Sequence, residues 1–212
     1  MAEIDGRPFL EYLLEQVRRG GFREAVLCVG YRQDAIREYF RGGEGHQIRL
    51  VYSAESQPMG TGGALKLAEP LLTGDRWLVM NGDSYLDVPL ETLVREHDAS
   101  DASATLAVAR VTDTSRFGTV ELSTHGAVTA FNEKGGSSGP GLINAGIYVI
   151  EREALAAIPA GREVSLEREL FPAWVGHGLY GFEFDGEFVD IGTPEDYRLA
   201  TASPGKLTST AD

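Results

Sequence analysis

The sequence predicts an α/β fold in which a mixed, mostly parallel sheet is flanked by helices. Apolar runs typical of buried strands alternate with amphipathic helical segments through the first half of the chain. Such alternation requires crossover connections, which favour parallel strand pairs. After His97 the sequence pattern changes to shorter strand-like runs separated by brief turns. We therefore expect one domain over residues 1–202. Its first half would be an α/β unit of the mononucleotide-binding type, and its second half a mixed region that forms a wall on the substrate side.

The chain opens on a helix rather than on a strand. Apolar residues recur at helical spacing over residues 9–17, and Arg18 and Arg19 precede a stop at Gly20 and Gly21. The eight residues before this helix contain no apolar run long enough for a strand.

The remaining elements follow from periodicity and turn residues. Strands are predicted at residues 24–30, 48–53, 76–83, 103–111, 117–122, 127–133 and 141–150. Helices are predicted at residues 33–40, 60–72 after a Gly-rich turn, 90–97, 151–157 and 193–200, the last capped by Thr193. A hairpin is predicted over residues 180–192, turning at Asp185 and Gly186, and residues 203–212 are expected to form a mobile tail.

Composition narrows the classes of partner. The chain has 212 residues and a net charge of −13, which argues against nucleic-acid and acidic-membrane partners, because these need clustered Lys and Arg. The single cysteine, Cys28, lies in an apolar run, so we expect a buried structural thiol and no internal disulfide. Neither a signal peptide nor an apolar run near 18 residues is present, and a cytoplasmic location is expected. A homo-oligomer is among the expected assemblies.

A glycine-rich turn leads from a strand into a helix. Gly60, Gly62 and Gly63 would let a ligand approach the backbone, with free amides at the start of the helix. An ordinary Gly-rich turn is the alternative, since the spacing matches neither a Walker loop nor a dinucleotide fingerprint.

Two aspartates occupy equivalent places at the ends of predicted strands. Asp83 follows the apolar run that ends at Met80, and Asp190 follows an apolar pair. Ligands bind at the carboxyl ends of strands in open α/β sheets, so the two carboxylates would converge on one cleft. One or two carboxylates completed by water and substrate phosphates suit Mg²⁺. An aspartate that caps a turn is the alternative for Asp83.

Polar residues at the end of one later strand and within the next suit a phosphorylated sugar. Lys134 is a compact charge for a phosphate, whereas Glu133 and Asn144 offer the acceptors and donors that sugar hydroxyls need. A solvated Glu–Lys pair and, for Glu167, a solvated helix face are the alternatives. The four histidines share no spacing and fall mostly in polar stretches, so we expect no metal or general-base role for them.

Eight stretches in order resemble the sugar-1-phosphate nucleotidyltransferase family, in particular its branch of guanylyltransferases for heptose and mannose 1-phosphates. They run from Gly6 to Leu199: GRPFLEYLL, QPMGTGGAL, MNGDSYLD, RFGTVEL, FNEKG, GLINAGIYV, SLERELFP and FVDIGTPEDY. The resemblance implies a Rossmann-like core. It also implies a reaction of a nucleoside triphosphate, with GTP favoured, and a sugar 1-phosphate that yields a nucleotide-sugar and pyrophosphate.

The resemblance also implies site residues, position by position. Asp83 and Asp190 would hold Mg²⁺, and together with Lys134, which would pair with the sugar phosphate, they form the catalytic set. The nucleotide would lie against Gln57, Gly60, Thr61, Gly62, Asn81 and Gly82. The sugar would lie against Gly118, Glu133, Asn144, Gly146 and Glu167.

Two departures from the family pattern qualify these expectations. Phe117 stands where many relatives have tyrosine, which removes a hydroxyl contact. The family's opening strand and loop, of the form L-A-G-G-x-G-T-R-L followed by P-K-P-M, have no match here, and Met1 falls at the position of that last methionine. We therefore expect a first strand to be missing and transferase activity to be low.

Two other functions remain open at this point. A non-catalytic or regulatory subunit that binds a sugar phosphate or nucleotide-sugar fits the intact second half of the pattern. A metal-dependent glycosyltransferase fits less well, because those enzymes typically need an Asp-x-Asp pair and the residue after Ser84 is Tyr85.

Overall fold

The computed structural model of the chain describes residues 1–133 and 138–207. Its strands are β1 (Glu3–Ile4), β2 (Arg7–Pro8), β3 (Glu24–Val29), β4 (Arg49–Ala54), β5 (Arg76–Met80), β6 (Ser84–Leu86), β7 (Ala104–Val111), β8 (Thr119–Leu122), β9 (Val128–Asn132), β10 (Gly141–Glu151), β11 (Leu179–Phe184) and β12 (Phe188–Asp190). Its α-helices are α1 (Phe9–Arg19), α2 (Gln33–Phe40), α3 (Gly60–Ala68), α4 (Leu90–Asp98), α5 (Arg152–Ala156), α6 (Phe171–Trp174) and α7 (Pro194–Ala202). Shorter helical turns lie at Glu44–His46, Glu69–Leu71 and Pro204–Leu207, and a π-helix spans Leu166–Leu170.

A six-stranded mixed sheet runs in the order β11-β7-β10-β8-β9, and β5 also pairs with β10. The long strand β10 pairs antiparallel with β7 along one edge and with β8 and then β5 along the other. Among the described strands, parallel pairing occurs between β11 and β7 and between β3 and β4. The mixed α/β class is confirmed, with more antiparallel pairing than the alternating first half indicated.

Both faces of this sheet are covered, which explains the nearly continuous apolar sequence of its central strands. On β7, Leu106 and Val108 pack on one face while Ala107 and Ala109 pack on the other. The first face is covered by α3, α5 and the helical segment near Phe171, and the second by α4 and part of α1. The structure is therefore layered, with the sheet between two groups of helices.

The predicted first helix is confirmed as α1, and its apolar positions face the interior. Phe9, Leu13 and Leu14 are buried, while Arg18 and Arg19 lie in the last turn, where cations are favoured. The eight residues before it differ from expectation, because β1 and β2 form a small antiparallel pair around a turn with positive φ at Gly6.

The predicted hairpin over residues 180–192 is wrong. Strand β11 adds in parallel to β7, whereas β12 leaves that sheet and pairs antiparallel with β6. A turn residue between two short strands indicates only that the chain bends, and here the partner of β12 comes from about a hundred residues earlier in the sequence. This pairing brings Asp190 beside Ser84 in register.

Residues 203–207 of the expected mobile tail pack against the domain in the structure. Pro204–Leu207 forms a helical turn, and Leu207 is buried against Ile4 and Val189. Residues 208–212 lie outside the described part of the chain. The apolar Leu207 within an otherwise polar stretch was the signal for this docking.

His97 is buried in α4, in contrast to the polar stretch expected for it. Its two ring nitrogens lie 2.8 Å from Thr105 Oγ1 and 3.0 Å from Glu151 Oε1. These contacts give it a structural role that tethers α4 to β7 and β10. Within residues 1–133 and 138–207, no helix is long and apolar enough to cross a lipid bilayer.

Strands β3 and β5 each have one edge without a paired strand in the described structure. All residues of β3 except Val29 are accordingly half-buried or exposed, and Cys28 is exposed rather than buried as expected. Its thiol donates to the carbonyl of Ala64 at 3.6 Å. The apolar sequence of β3 is that of a central strand, but its surroundings are those of an edge.

We predict that the Cys28 thiol reacts slowly with alkylating reagents despite its exposure. Desolvation by neighbouring atoms, and then the charge of Glu55, raise the pKa of Cys28 to about 11. Only the thiolate is the nucleophile, and at pH 8 it is about a thousandth of the population. The rate of alkylation by iodoacetamide should rise about tenfold per pH unit up to pH 10.

A small free thiol assayed in parallel serves as the control, since its rate levels off near pH 9. The variant Glu55→Gln removes the second cause of the raised pKa, so its profile should move to lower pH. A wild-type rate that levels off below pH 9 would contradict the prediction.

Candidate functional site

A pocket of about 260 Å³ opens where the turn after β5, the bend in β10, the π-helix and the end of β12 meet. Nine of the residues predicted from sequence line it: Thr61, Asn81, Asp83, Gly118, Glu133, Asn144, Gly146, Glu167 and Asp190. Ser84, Phe117, Phe131, Phe188 and Gly192 complete the lining. A more open depression of about 660 Å³ lies near α2, but it contains none of the predicted site residues.

The carboxylates of Asp83 and Asp190 converge, as the strand ends predicted. The backbone NH of Ile191 donates to the carbonyl of Asp83 at 2.8 Å, continuing the β6–β12 pair toward the pocket. A methyl group added at Gly192 would lie 3.2 Å from Asp190 Oδ1 and 3.3 Å from Asp83 Oδ2. The two carboxylates therefore flank one small space above Gly192, which stays open because that residue has no side chain.

The chemistry of this pair fits Mg²⁺. Both donors are hard carboxylate oxygens, and the space above Gly192 is one that a Cβ would fill. Among the described residues, no third His, Cys, Asp or Glu joins them in a group that could hold a metal. A site of this type leaves the other coordination positions to water and substrate phosphates, which is the usual arrangement for Mg²⁺.

A bulge in β10 forms the floor of the pocket. The register with β7 shifts between Asn144 and Tyr148, and Gly146 there has φ of +78°, in the left-handed region that favours glycine. The NH of Asn81 donates to the carbonyl of Gly146 at 2.8 Å. A side chain at Gly146 would collide with Ser84 Oγ, so the turn after β5 and the bulge can touch only through glycine.

Glu167 is held by hydroxyl groups rather than by a cation. Its Oε2 accepts from Thr61 Oγ1 at 2.7 Å and from Ser165 Oγ at 3.0 Å, and its Oε1 accepts from Tyr148 Oη at 3.3 Å. Ser165 is the N-cap of the π-helix, and its hydroxyl accepts from the NH of Arg168. The carboxylate is half-buried and faces the pocket, so it is not part of a solvated helix face.

Aromatic rings form another part of the lining. Phe117, which stands at the family's tyrosine position, packs edge-on against Phe188 with ring centroids 5.4 Å apart. The preceding Arg116 forms an ion pair with the buried Asp196 at the start of α7. This pair joins the loop before β8 to the helix that follows Asp190.

The glycines of α3 have a different role from the one predicted. The NH groups of Gly62 and Gly63 donate to the carbonyl of Val164 at 2.9 and 3.1 Å, so they are not free for a ligand. A Cβ at Gly60 would lie 2.5 Å from the same carbonyl oxygen. The expectation of free amides is wrong, because these glycines allow the backbone of α3 to pack against residues 162–164.

Four predicted residues lie outside the pocket lining: Gln57, Gly60, Gly62 and Gly82. Gln57 and Gly82 are exposed in loops, and their predicted roles with the nucleotide remain predictions. Lys134 lies outside the described residues.

Sequence reasoning missed Tyr148, which is completely buried beneath the pocket. Its hydroxyl accepts from Asn144 Nδ2 at 2.9 Å, and burial followed by the charge of Glu167 raises the pKa of Tyr148 well above its usual range. The available signal was its position four residues after Asn144, on the same face of a strand.

The model of the nucleotidyl transferase family matches residues 2–204. The chain is 36% identical over 201 residues to the D-glycero-alpha-D-manno-heptose 1-phosphate guanylyltransferase of Aneurinibacillus thermoaerophilus, a match that covers 94% of this chain and 86% of that protein. It is also 36% identical over 205 residues to the mannose-1-phosphate guanylyltransferase of Mycobacterium tuberculosis, covering 95% of this chain and 57% of that longer protein.

Solved structures resemble the chain over nearly its whole length. HddC from Yersinia pseudotuberculosis superposes with a TM-score of 0.85 at 28% identity, over 96% of this chain and 88% of that chain. The same protein complexed with GMP-PN superposes with a TM-score of 0.83. Because the family model extends over nearly the whole sequence and relatives above 30% identity cover most of it, the chain belongs to the nucleotidyl transferase family.

Proposed function

We propose that the protein is a sugar-1-phosphate guanylyltransferase, which converts GTP and a sugar 1-phosphate into a GDP-sugar and pyrophosphate. The observation that carries the proposal is the convergence of Asp83 and Asp190 above Gly192, in a pocket that also holds Asn144 and Glu167. The choice of guanine is supported by the guanylyltransferase names of two relatives and by the structural neighbour complexed with GMP-PN.

In this reaction an oxygen of the sugar phosphate forms a bond to the α-phosphorus of GTP. The bond from that phosphorus to the bridging oxygen breaks, and pyrophosphate leaves. No protein nucleophile takes part, so the protein contributes by aligning the two substrates and balancing their charge. The hydroxyls of Thr61 and Ser165 already donate to Glu167, which fits a positioning role for them.

Asp83 and Asp190 would hold Mg²⁺, which when bound supplies positive charge that offsets the phosphates. The described lining contains four carboxylates and no Lys or Arg, so anionic substrates need this balance. Lys134, outside the described residues, is proposed to contribute a further positive charge against the sugar phosphate.

Glu133, Asn144 and Glu167 are proposed to contact the sugar, with Gly118 and Gly146 leaving room for it. Carboxylate oxygens accept hydrogen bonds from sugar hydroxyls, and the Asn144 amide can also donate. The base is proposed to lie toward Thr61 and Asn81.

The first experiment tests the paired carboxylates. Asp83→Asn and Asp190→Asn should each lower Mg²⁺-dependent pyrophosphate release from GTP and mannose 1-phosphate by about a hundredfold or more, because each removes half of the ion's protein ligands. Mg²⁺ should raise the melting temperature of the wild type and not that of either variant.

Asp87→Asn is the matched control, since Asp87 lies four residues after Asp83 but accepts from Tyr85 Oη instead of lining the pocket. It should retain the wild-type rate and the Mg²⁺ response. Pyrophosphate release that is unchanged in both Asp83→Asn and Asp190→Asn would rule out the proposed role of the pair.

The second experiment tests the space above Gly192. Gly192→Ala would put a methyl group 3.2 to 3.3 Å from both carboxylates, so Mg²⁺ affinity and turnover should fall about tenfold or more. The free energy of unfolding should change by less than about 1 kcal/mol, because the site is open to solvent. Mn²⁺ titration, followed by the relaxation rate of water protons, measures the affinity independently of activity.

Gly45→Ala is the control, because a Cβ there meets no atom within 4 Å. It should bind Mn²⁺ as the wild type does. Equal Mn²⁺ affinity in Gly192→Ala and the wild type would place the metal elsewhere.

We also propose that the 212-residue polypeptide turns over slowly, since its described pocket lining carries no Lys or Arg to grip a triphosphate. Its rate should be about tenfold or more below that of the Aneurinibacillus relative assayed in parallel, with GTP used in preference to ATP, CTP and UTP. Equal rates would refute this.

The lack of Lys and Arg in the described lining also fits one second candidate, a subunit that binds a nucleotide-sugar without turnover. Calorimetry separates the two functions. Measurable affinity for GDP-mannose without any pyrophosphate release would favour the binding subunit, whereas slow release would favour the enzyme.

A further inference from the structure

Three polar side chains converge on the hydroxyl of Tyr148 beneath the pocket. Asn144 Nδ2 donates to it at 2.9 Å and Asn81 Nδ2 at 3.5 Å, and the hydroxyl donates to Glu167 Oε1 at 3.3 Å. Tyr148 is 0% exposed, so no water competes for these bonds.

The direction of these hydrogen bonds is dictated by the partners. The amide nitrogens of Asn81 and Asn144 can only donate, and an ionised Glu167 can only accept. The single proton of the hydroxyl therefore points at Glu167, and its two lone pairs point at the asparagines. Burial raises the pKa of the phenol, so it stays protonated and this direction persists.

Backbone amides orient the other two hydroxyls that bond to Glu167. Thr61 Oγ1 accepts from the NH of Leu166 at 2.8 Å, and Ser165 Oγ accepts from the NH of Arg168 at 3.1 Å. The proton of each hydroxyl is therefore available to donate a hydrogen bond to Glu167. A carboxylate has about four acceptor positions, and three are taken, so about one remains for a ligand.

Asn144 is oriented at both ends of its amide. Its Oδ1 accepts from the NH of Gly146 at 3.1 Å, and one hydrogen of Nδ2 goes to Tyr148. The second Nδ2 hydrogen remains for a ligand. Asn144 and Glu167 both line the pocket and both bond to Tyr148 Oη, so their remaining donor and acceptor lie close together.

We propose that Tyr148 is a positioning residue that sets sugar specificity, by holding Asn144 and Glu167 so that one sugar hydroxyl accepts from the first and donates to the second. This inference rests on the proposed function and goes beyond it in naming what selects the sugar. A buried group that loses its partner is costly, so a site built this way discriminates strongly against a sugar that lacks the hydroxyl.

The test is Tyr148→Phe, which removes the hydroxyl and keeps the ring that packs on Phe171 with centroids 4.9 Å apart. Calorimetry with Mg²⁺ compares GDP-mannose with GDP, so that the difference isolates the sugar. Affinity for GDP-mannose should fall about tenfold, as expected for losing a hydrogen bond to a charged group. Affinity for GDP should stay the same, because the bond to Asn81 is at the limit of hydrogen-bond length.

Steady-state kinetics gives a second measure. The KM for the sugar 1-phosphate should rise about tenfold while the KM for GTP is unchanged, and the preference for mannose 1-phosphate over its 2-deoxy analogue, or over another monodeoxy analogue, should shrink. The affected analogue identifies the hydroxyl that the pair recognises.

Tyr85→Phe is the matched control. Tyr85 is also 0% exposed and its hydroxyl donates to Asp87 Oδ1 at 3.2 Å, but it lies outside the pocket lining. Its affinities for GDP-mannose and GDP should equal those of the wild type. Glu167→Gln is the second variant and should show the same selective loss, and combining it with Tyr148→Phe should add little further loss.

Unchanged GDP-mannose affinity in Tyr148→Phe would overturn the inference, and so would an equal loss of both ligands, which marks a general structural effect. If Tyr148→Phe loses its cooperative melting transition, Glu167→Gln decides alone, and equal losses there also overturn the inference. A wild-type protein that binds neither ligand would instead refute the proposed function.

Discussion

The arrangement of the site depends on one irregularity in strand β10. Its first residues pair with β8 and its last residues with β5, and the register with β7 shifts between Asn144 and Tyr148. Four residues of a regular strand span about 13 Å, and the bulge shortens that span so that these two side chains meet. Gly146 makes the bulge possible in two ways, since its positive φ suits glycine and any Cβ would strike Ser84. The turn that leads to Asp83 and the bulge that carries Asn144 therefore meet at a single glycine, Gly146.

Charge sets the second constraint on the site. Asp83 and Asp190 face one another across Gly192, and Glu133 and Glu167 add further negative charge to the same pocket. Phosphorylated ligands would be repelled by such a lining, just as the carboxylates repel one another. A cation bound here would relieve both repulsions at once, so the affinity for the cation and the affinity for phosphates would rise together by linkage. The carboxylate of Glu167 does not itself need a cation, because three hydroxyl groups already donate hydrogen bonds to it.

Local sequence patterns predicted an element or a site residue well where that feature depends only on neighbouring residues. Helical spacing and a glycine stop located α1, and the rule for strand ends located Asp83 and Asp190, because both depend on neighbouring residues. The partner of β12 and the docking of Leu207 were not predictable in this way, because pairing and burial depend on residues far away in sequence. Tyr148 was missed for a related reason: a tyrosine in an apolar strand is indistinguishable from a core residue until its hydroxyl partners are known.

The Gly-rich segment at the start of α3 shows how a motif can serve a part of the site other than the one its composition suggests. Its glycines would suit a phosphate loop, yet the NH groups of Gly62 and Gly63 donate to Val164 and their surfaces pack against residues 162–164. That close packing holds the segment that leads into Ser165 and the π-helix. It also brings Thr61 Oγ1 within 2.7 Å of Glu167 Oε2. A side chain at these glycines would press on residues 162–164, which lead into Ser165 and Glu167, so the Gly-rich segment helps to position Glu167.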